Sequence, residues 1–188
     1  MIARSVSLMP HPGDRAVAAI ALTAEVSVNR EQGLMVNFEL RGALDSILCT
    51  ESTSPPQRRD ELWRHTCFEV FVQRGAGPGY LEFNFSPSGD WAAYEFQDYR
   101  TGRMDYDTPS MAVTRTLSED DQLMLRAQAQ LKPQAAKLVW HLNVAAVIEA
   151  RDGTLSYWAV RHSGPKPDFH ESAAFCIALA SHDTATFS

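Results

Sequence analysis

The chain has 188 residues, 45% hydrophobic and 21% charged, a globular balance that excludes disorder and suits one domain over residues 1–188 with its core in about 16–180. A formal net charge of −6, with the basic residues dispersed, excludes the positive field that nucleic acid or an anionic membrane surface requires. Cys49, Cys67 and Cys176 are odd in number and lack C-x-x-C spacing, so neither a disulfide framework nor structural zinc is expected, and free thiols point to the cytoplasm.

Residues 16–24, AVAAIALTA, have the look of a short signal-peptide core, but Asp14 precedes them and Pro10 and Pro12 interrupt the leader. The same run alternates, with Ala18, Ile20, Leu22, Ala24, Val26 and Val28 on one side and Thr23, Glu25, Ser27 and Asn29 on the other, so a strand is predicted. No apolar run is long enough to cross a bilayer as a helix. Gln32 and Gly33 turn the chain into a second alternating strand with Leu34, Val36, Phe38 and Leu40 inward. Residues 41–60 are irregular, and Arg58 and Arg59 close a Ser/Thr/Pro loop of the kind that often carries function.

Residues 61–103 read as a three-stranded meander. Its strands are expected at 63–73, 80–86 and 91–98, separated by the turn sequences GAGPG and PSGD. Gathering Phe83, Phe85, Ala92, Tyr94 and Phe96 on one core face places Ser86 opposite Trp91, Asn84 opposite Ala93 and Glu82 opposite Glu95. With Glu69 pointing the same way, the other face carries Glu69, Glu82, Asn84 and Trp91, with Arg64 and Arg100 near its ends. Such a face is either a solvated surface balanced by arginines or a binding surface of acids, an amide and a flat indole.

Residues 101–110 form a polar connection, after which Leu123, Leu125, Ala127, Ala129 and Leu131 alternate cleanly with polar residues. Residues 137–150, with the run VWHLNVAAVIEA, are apolar on both faces and read as a central strand, paired through the Asp152-Gly153 turn with residues 155–162. Residues 175–179 would close the sheet. The predicted fold is an all-β, antiparallel β-sandwich with little helix, and nothing specifies an oligomeric state.

Three segments, LWRHTCFEVFV, GYLEFNFSPSGDWAAYEFQDYRTG and SYWAVRHSGPKPDFHE, resemble the DOMON-like superfamily, in particular small bacterial DOMON-like proteins related to family 9 carbohydrate-binding modules. The resemblance implies a two-sheet sandwich that binds a ligand, sugar in some branches and haem in others, without catalysis of its own. It also implies a Trp-Glu pair at Trp63 and Glu69, with Trp158 placed to supply a second aromatic.

The parts of a sugar site are present in the residues themselves. A pyranose offers an apolar C–H face for an indole and a rim of hydroxyls for charged acceptors and arginine donors. Trp63, Trp91 and Trp158 with Glu69, Glu82, Asn84 and Arg100 supply both, although each Trp could equally serve the core and each acid a structural ion pair. Residues 162–171, HSGPKPDFHE, form a rigid loop, and Lys166, Asp168 and His170 could wall the ligand site if it folds over the meander. Asp168 and His170 could also be written as metal ligands or an acid/base pair, but their spacing matches no metal motif and no nucleophile elbow is present. No metal is expected. Haem would need axial ligands such as Met104, Met111, Met124, His65 or His141, and without C-x-x-C-H only non-covalent haem is open. The expected function is therefore non-catalytic binding of a small molecule, carbohydrate or glycan fragment, with no cofactor. The alternatives are a haem-binding domain and a glycan-processing hydrolase using Glu69 and Glu82.

Overall fold

The structure, a computed structural model, describes residues 3–14, 19–29, 33–52, 55–75, 77–108, 110–118, 121–132 and 139–180. Among these the chain forms β1 (Ala3–Pro10), β2 (Ile20–Asn29), β3 (Gly33–Gly42), β4 (Cys67–Arg74), β5 (Tyr80–Phe85) and β6 (Trp91–Phe96). The remaining strands are β7 (Met104–Asp105), β8 (Met111–Ser118), β9 (Gln122–Ala129), β10 (Val139–Glu149), β11 (Leu155–Ala159) and β12 (Ile177–Ala180). The helices described are single 3₁₀ turns, one of them at Leu62–Arg64, so the molecule is all-β. No described helix is long and apolar enough to cross a membrane.

The strands pair antiparallel in the order β7-β6-β5-β4-β10-β11-β1-β2-β3-β9-β8, with β12 against the opening residues of β10. Two leaves result, and β1 joins them. Over Ala3 to Leu8 it pairs with β2, and at Met9 and Pro10 it pairs with Ala159 and Trp158 of β11.

Alternation explains the first leaf. Leu22, Ala24 and Val26 on β2, Leu34, Val36, Phe38 and Leu40 on β3, and Leu123, Leu125 and Ala127 on β9 are buried, while Thr23, Glu25, Arg126 and Gln128 face water. Opposite them the second leaf presents Phe68, Val70 and Val72 of β4, Phe83 and Phe85 of β5, and Leu142, Val144 and Ala146 of β10. Phe38 meets Phe68 across this core at 4.9 Å between ring centroids.

The second leaf is buried on its other face as well. Phe71, Tyr80, Ala92, Tyr94, Phe96, Ala145 and Val147 form a separate cluster there, covered by Phe169 and Phe175. This double burial corrects the expected register of β5 and β6. Phe85 pairs with Trp91, Asn84 with Ala92, Glu82 with Tyr94 and Leu81 with Glu95. The aromatics are thus divided between two cores instead of gathered on one, and Glu95 lies on the face opposite Glu82. The turn takes one residue more than expected: Ser86 N–H bonds Asp90 O at 2.9 Å, and the buried Asp90 carboxylate accepts from Gln57 N–H at 2.9 Å and holds Arg59 at 2.7 Å.

The Asp152-Gly153 turn connects β10 and β11 as expected, with Gly153 at φ +81°. β11 stops at Ala159, short of the predicted residue 162, and the closing strand β12 begins two residues later than predicted. β1 and β8 lie outside the predicted strands, and each buries a single residue, Leu8 and Val113, so neither carries a hydrophobic period. The predicted strand and turn positions 16–18, 32, 76 and 137–138 lie outside the described residues.

Candidate functional site

The outer face of the second leaf positions the acids. Glu69 of β4 stands beside Asn84 of β5, and Phe71 beside Glu82, so Glu69, Asn84 and Glu82 project from one side of the sheet. Three segments cover that face. The 3₁₀ turn Leu62–Arg64 brings Trp63, the turn after β6 brings Arg100 and Arg103, and the loop at 162–175 brings Pro167, Phe169 and His170. They enclose a cavity of about 440 Å³ whose lining also includes Phe96 and, from the sheet, Val147 and Tyr157. Glu69 and Glu82, 3% and 6% exposed, form its floor. The Arg100 side chain, 50% exposed, stands at the rim with Arg103.

Backbone geometry aims the covering residues. Glu61 and Arg100 adopt left-handed φ of 62° and 52°, an unfavourable state for residues bearing a Cβ, and each begins the segment that delivers a cavity side chain. Gly102, at φ +65°, closes the turn between Arg100 and Arg103; a Cβ there would meet Gln97 at 2.8 Å.

Glu82 is well supported: Asn84 Nδ2 donates to its Oε1 at 2.7 Å, and His170 Nε2 lies 3.8 Å from its Oε2. Glu69 is not, because its Oε1 is buried with no hydrogen-bond partner. Burial, and after it the Glu82 charge, push the Glu69 carboxyl well above the usual carboxylate range, with Arg100 opposing. Burial also raises Glu82, but the Asn84 bond and then Arg100 and Arg103 oppose it. Both shifts favour the protonated carboxyl, and the larger push falls on Glu69, which lacks the supporting bond that Asn84 gives Glu82. Burial likewise pushes up the neighbouring Cys67 thiol, assisted by Glu69.

A second set of bonds fixes the wall. Arg100 N–H donates to Tyr80 Oη at 3.2 Å, and Tyr80 Oη shares a hydrogen bond with His170 Nδ1 at 2.7 Å. His170 turns its Nε2 toward Glu82 Oε2, 3.8 Å away. Burial, with Arg100 nearby, lowers the His170 pKa to about 4, so the ring is neutral near neutral pH. Burial raises Tyr80 to about 12 and keeps it a phenol. Asp168 ties the loop to the rim, accepting from Arg100 at 2.9 Å, from Tyr99 Oη at 2.5 Å and from His170 N–H at 3.0 Å. Burial alone would raise Asp168, but Tyr99, the His170 amide and Arg100 together hold it below the ordinary range.

Of the residues singled out in the sequence, Trp63, Glu69, Glu82, Arg100 and His170 line the cavity. Asn84 lies beneath it as the support of Glu82, and Asp168 stands behind Arg100, both of its oxygens engaged. The others lie elsewhere. Trp91, paired with Phe85, belongs to the opposite face, packs on the core between the leaves and carries Arg58 over its ring at 5.6 Å. Trp158 is buried in the same core, its Nε1–H bonded to Ser156 Oγ at 3.0 Å. Arg64 is exposed and pairs with Glu61 at 2.9 Å. Lys166 is exposed outside the lining, and Pro167 takes the wall position beside it. Phe96, Arg103, Val147, Tyr157 and Phe169 were not anticipated. The one signal for Val147 was the two-sided apolarity of residues 139–150.

The residues considered for haem are dispersed: Met104 is 52% exposed, His65 binds Glu149 at 2.8 Å, and none of Met104, Met111, Met124, His65 or His141 lines this cavity. Among the described residues no group of His, Cys, Asp or Glu is placed to hold a metal ion. The cysteines are free thiols.

No family model and no curated protein matches the chain. Solved structures do. A candidate carbohydrate-binding protein from Bacteroides uniformis superposes with a TM-score of 0.66 at 12% identity, covering 94% of this chain and 87% of its own. A family 9 carbohydrate-binding module from Caldicellulosiruptor kristjanssonii in complex with cellotriose gives a TM-score of 0.45 at 10% identity, covering 82% of this chain and 71% of the module. A family 9 module from the same organism in complex with glucose gives 0.43 at 12%, covering 76% and 68%. The likeness to the Bacteroides uniformis protein is one of fold, and it spans nearly the whole of both chains.

Proposed function

We propose that this chain is a non-catalytic binding module of the DOMON-like kind whose cavity takes a small carbohydrate or glycan fragment. The observation that carries this reading is Glu69, a buried carboxyl in the lining of an aromatic-walled cavity whose Oε1 has no hydrogen-bond partner. Leaving a buried acceptor unsatisfied costs about 1–3 kcal/mol, and a ligand hydroxyl bonded to this carboxyl would offset part of that. Trp63, half-buried and braced edge-on by Tyr94 at 6.1 Å, offers an indole to a sugar's C–H face. Glu69 and Glu82 accept from hydroxyls at the floor, while Arg100 and Arg103 donate from the rim and His170 Nε2 offers a further polar contact on the wall. The ascription of carbohydrate binding to the Bacteroides uniformis protein accords with this reading.

Isothermal titration against a panel of mono- and disaccharides tests it. A bound sugar at 100 times its dissociation constant should raise unfolding stability by about 2.7 kcal/mol. Trp63→Ala should weaken binding by roughly tenfold or more, the loss of a stacking platform being worth at least ~1.4 kcal/mol. The two acids sit in unlike environments, as a hydrolase would require, so the same sugars are offered as chromogenic glycosides. Turnover that disappears in Glu69→Gln would replace the binding module by an enzyme, and titration without binding to any sugar would remove the carbohydrate.

A further inference from the structure

Resting on the carbohydrate reading of this cavity, we propose that it selects sugars bearing a free amine, whose ammonium seats on Glu69 and Glu82. Three observations lead there. First, the floor holds two buried carboxyls side by side, and among the described residues no cation lies within ion-pair distance of Glu69; Arg100 is bonded to Asp168 instead. An ionised carboxylate buried in that manner is costly unless paired, and Arg100 and Arg103 act on the acids from the rim without an ion pair to Glu69. Second, the acceptor geometry suits an ammonium better than a hydroxyl. Glu69 Oε1 is unoccupied, and the Glu82 carboxylate is fixed by Asn84 through one oxygen while the other faces the cavity wall. An –NH3+ group has three hydrogens to divide between two carboxylates, whereas a hydroxyl donates one. Third, Trp63, Phe96, Tyr157 and Phe169 line the same cavity, aromatic rings whose faces attract a desolvated cation.

Charge balance makes the choice specific. The titratable and charged groups facing the pair are Cys67 on β4, Tyr80 on β5, Tyr94 on β6, Tyr157 on β11, Arg100 and Arg103 beyond β6, and His170 with Asp168 on the long loop. His170 is neutral and does not repel an ammonium. Arg100 and Arg103 at the rim do, Arg100 less so because Asp168 pairs with it. The two floor carboxyls outweigh them only for a cation seated between the acids. Burial and the Glu82 charge favour a proton on Glu69, whereas an ammonium set between the two carboxyls favours its loss, so binding of an amine should release protons. A neutral sugar offers no such exchange, and an N-acetylated one loses both the charge and two donors.

Titration of the whole chain near neutral pH with glucosamine, glucose and N-acetylglucosamine, each in two buffers of different ionisation enthalpy, tests the proposal. Glucosamine should bind at least ~10-fold tighter than the other two and release protons on binding, while glucose releases none. Glu69→Gln keeps the shape of the floor; it should bring glucosamine to the affinity of glucose and abolish the proton release, with its fold checked by thermal melting. The wild-type proton count needs no variant. Glucose binding as tightly as glucosamine, or glucosamine binding without proton release, overturns the amine preference and leaves the sugar site standing. Failure of all three to bind overturns both.

Discussion

Along β2, β3 and β9 every second residue is apolar and buried and most of those between are exposed or half-buried, whereas all six residues of β5 are buried and β10 buries both faces over most of its length. The first leaf spends its polar residues on solubility. The second keeps Glu69, Glu82, Asn84 and Asn143 out of water, on a face roofed by loops. Burying polar groups is unfavourable wherever a hydrophobic residue would fit, so their concentration on one face of one leaf marks where the fold serves something other than its own stability. The inner core, shared by both leaves, carries the stability. The outer face of the second leaf carries the chemistry.

The largest expected effect separates those two roles. Phe38→Ala, in the core between the leaves, should cost about 3–5 kcal/mol in urea denaturation. Phe169→Ala borders an existing cavity, so its neighbours lose fewer contacts, and it should cost about 2–3 kcal/mol while weakening ligand binding. Equal losses would mean that the outer face is as closed as the inner core.

A pH series sharpens the contrast, because the strongly displaced carboxyl and imidazole groups belong to the outer face. Glu69 and Glu82 have raised pKa values, so their contribution to stability is present below the usual carboxylate pKa, near 4.5, and is lost as pH rises through their folded values. His170, lowered from 6.5 to about 4, contributes stability above pH 6.5 that is lost as pH falls toward 4. Stability measured across that range should therefore show Glu69→Gln gaining on wild type as pH rises and His170→Gln gaining as pH falls, with slopes of at most about 1.4 kcal/mol per pH unit. Curves that stay parallel would place both groups in water. The smallest effect is expected at the exposed Arg64–Glu61 pair, where Arg64→Ala should change stability by no more than about 0.5 kcal/mol and leave binding untouched.

The same contrast decides what could be read without coordinates. The first leaf was legible because its period of two is unbroken, and the Asp152-Gly153 hairpin because its turn chemistry is local. Glu69 and Glu82 could be placed on a shared face for the same reason, and the Pro/Gly-rich loop with Asp168 and His170 stood out by composition. Trp91 and Trp158 were misplaced because a large aromatic satisfies either face of a leaf buried on both, so hydrophobicity loses its power to set register. Tyr157 and Arg103 reach the cavity through β10–β11 pairing and a turn after β6, long-range events that leave no mark in their own neighbourhood. β1 and β8 bury one side chain each, too little to produce a period.

The loop at 162–175 has one more consequence. It is held to the body by Asn143 Nδ2 to Phe169 O at 3.0 Å, His162 Nε2 to Met9 O at 2.8 Å, His11 Nε2 to Gly164 O at 3.2 Å and the Asp168–Arg100 pair, while the acids it covers are written on strands. Lid and floor are thus separate stretches of chain with separate attachments. A graft that exchanges the interior of this loop while keeping its anchoring residues would reshape what the cavity admits without repacking the sandwich, which makes the segment an interchangeable cassette for altering selectivity.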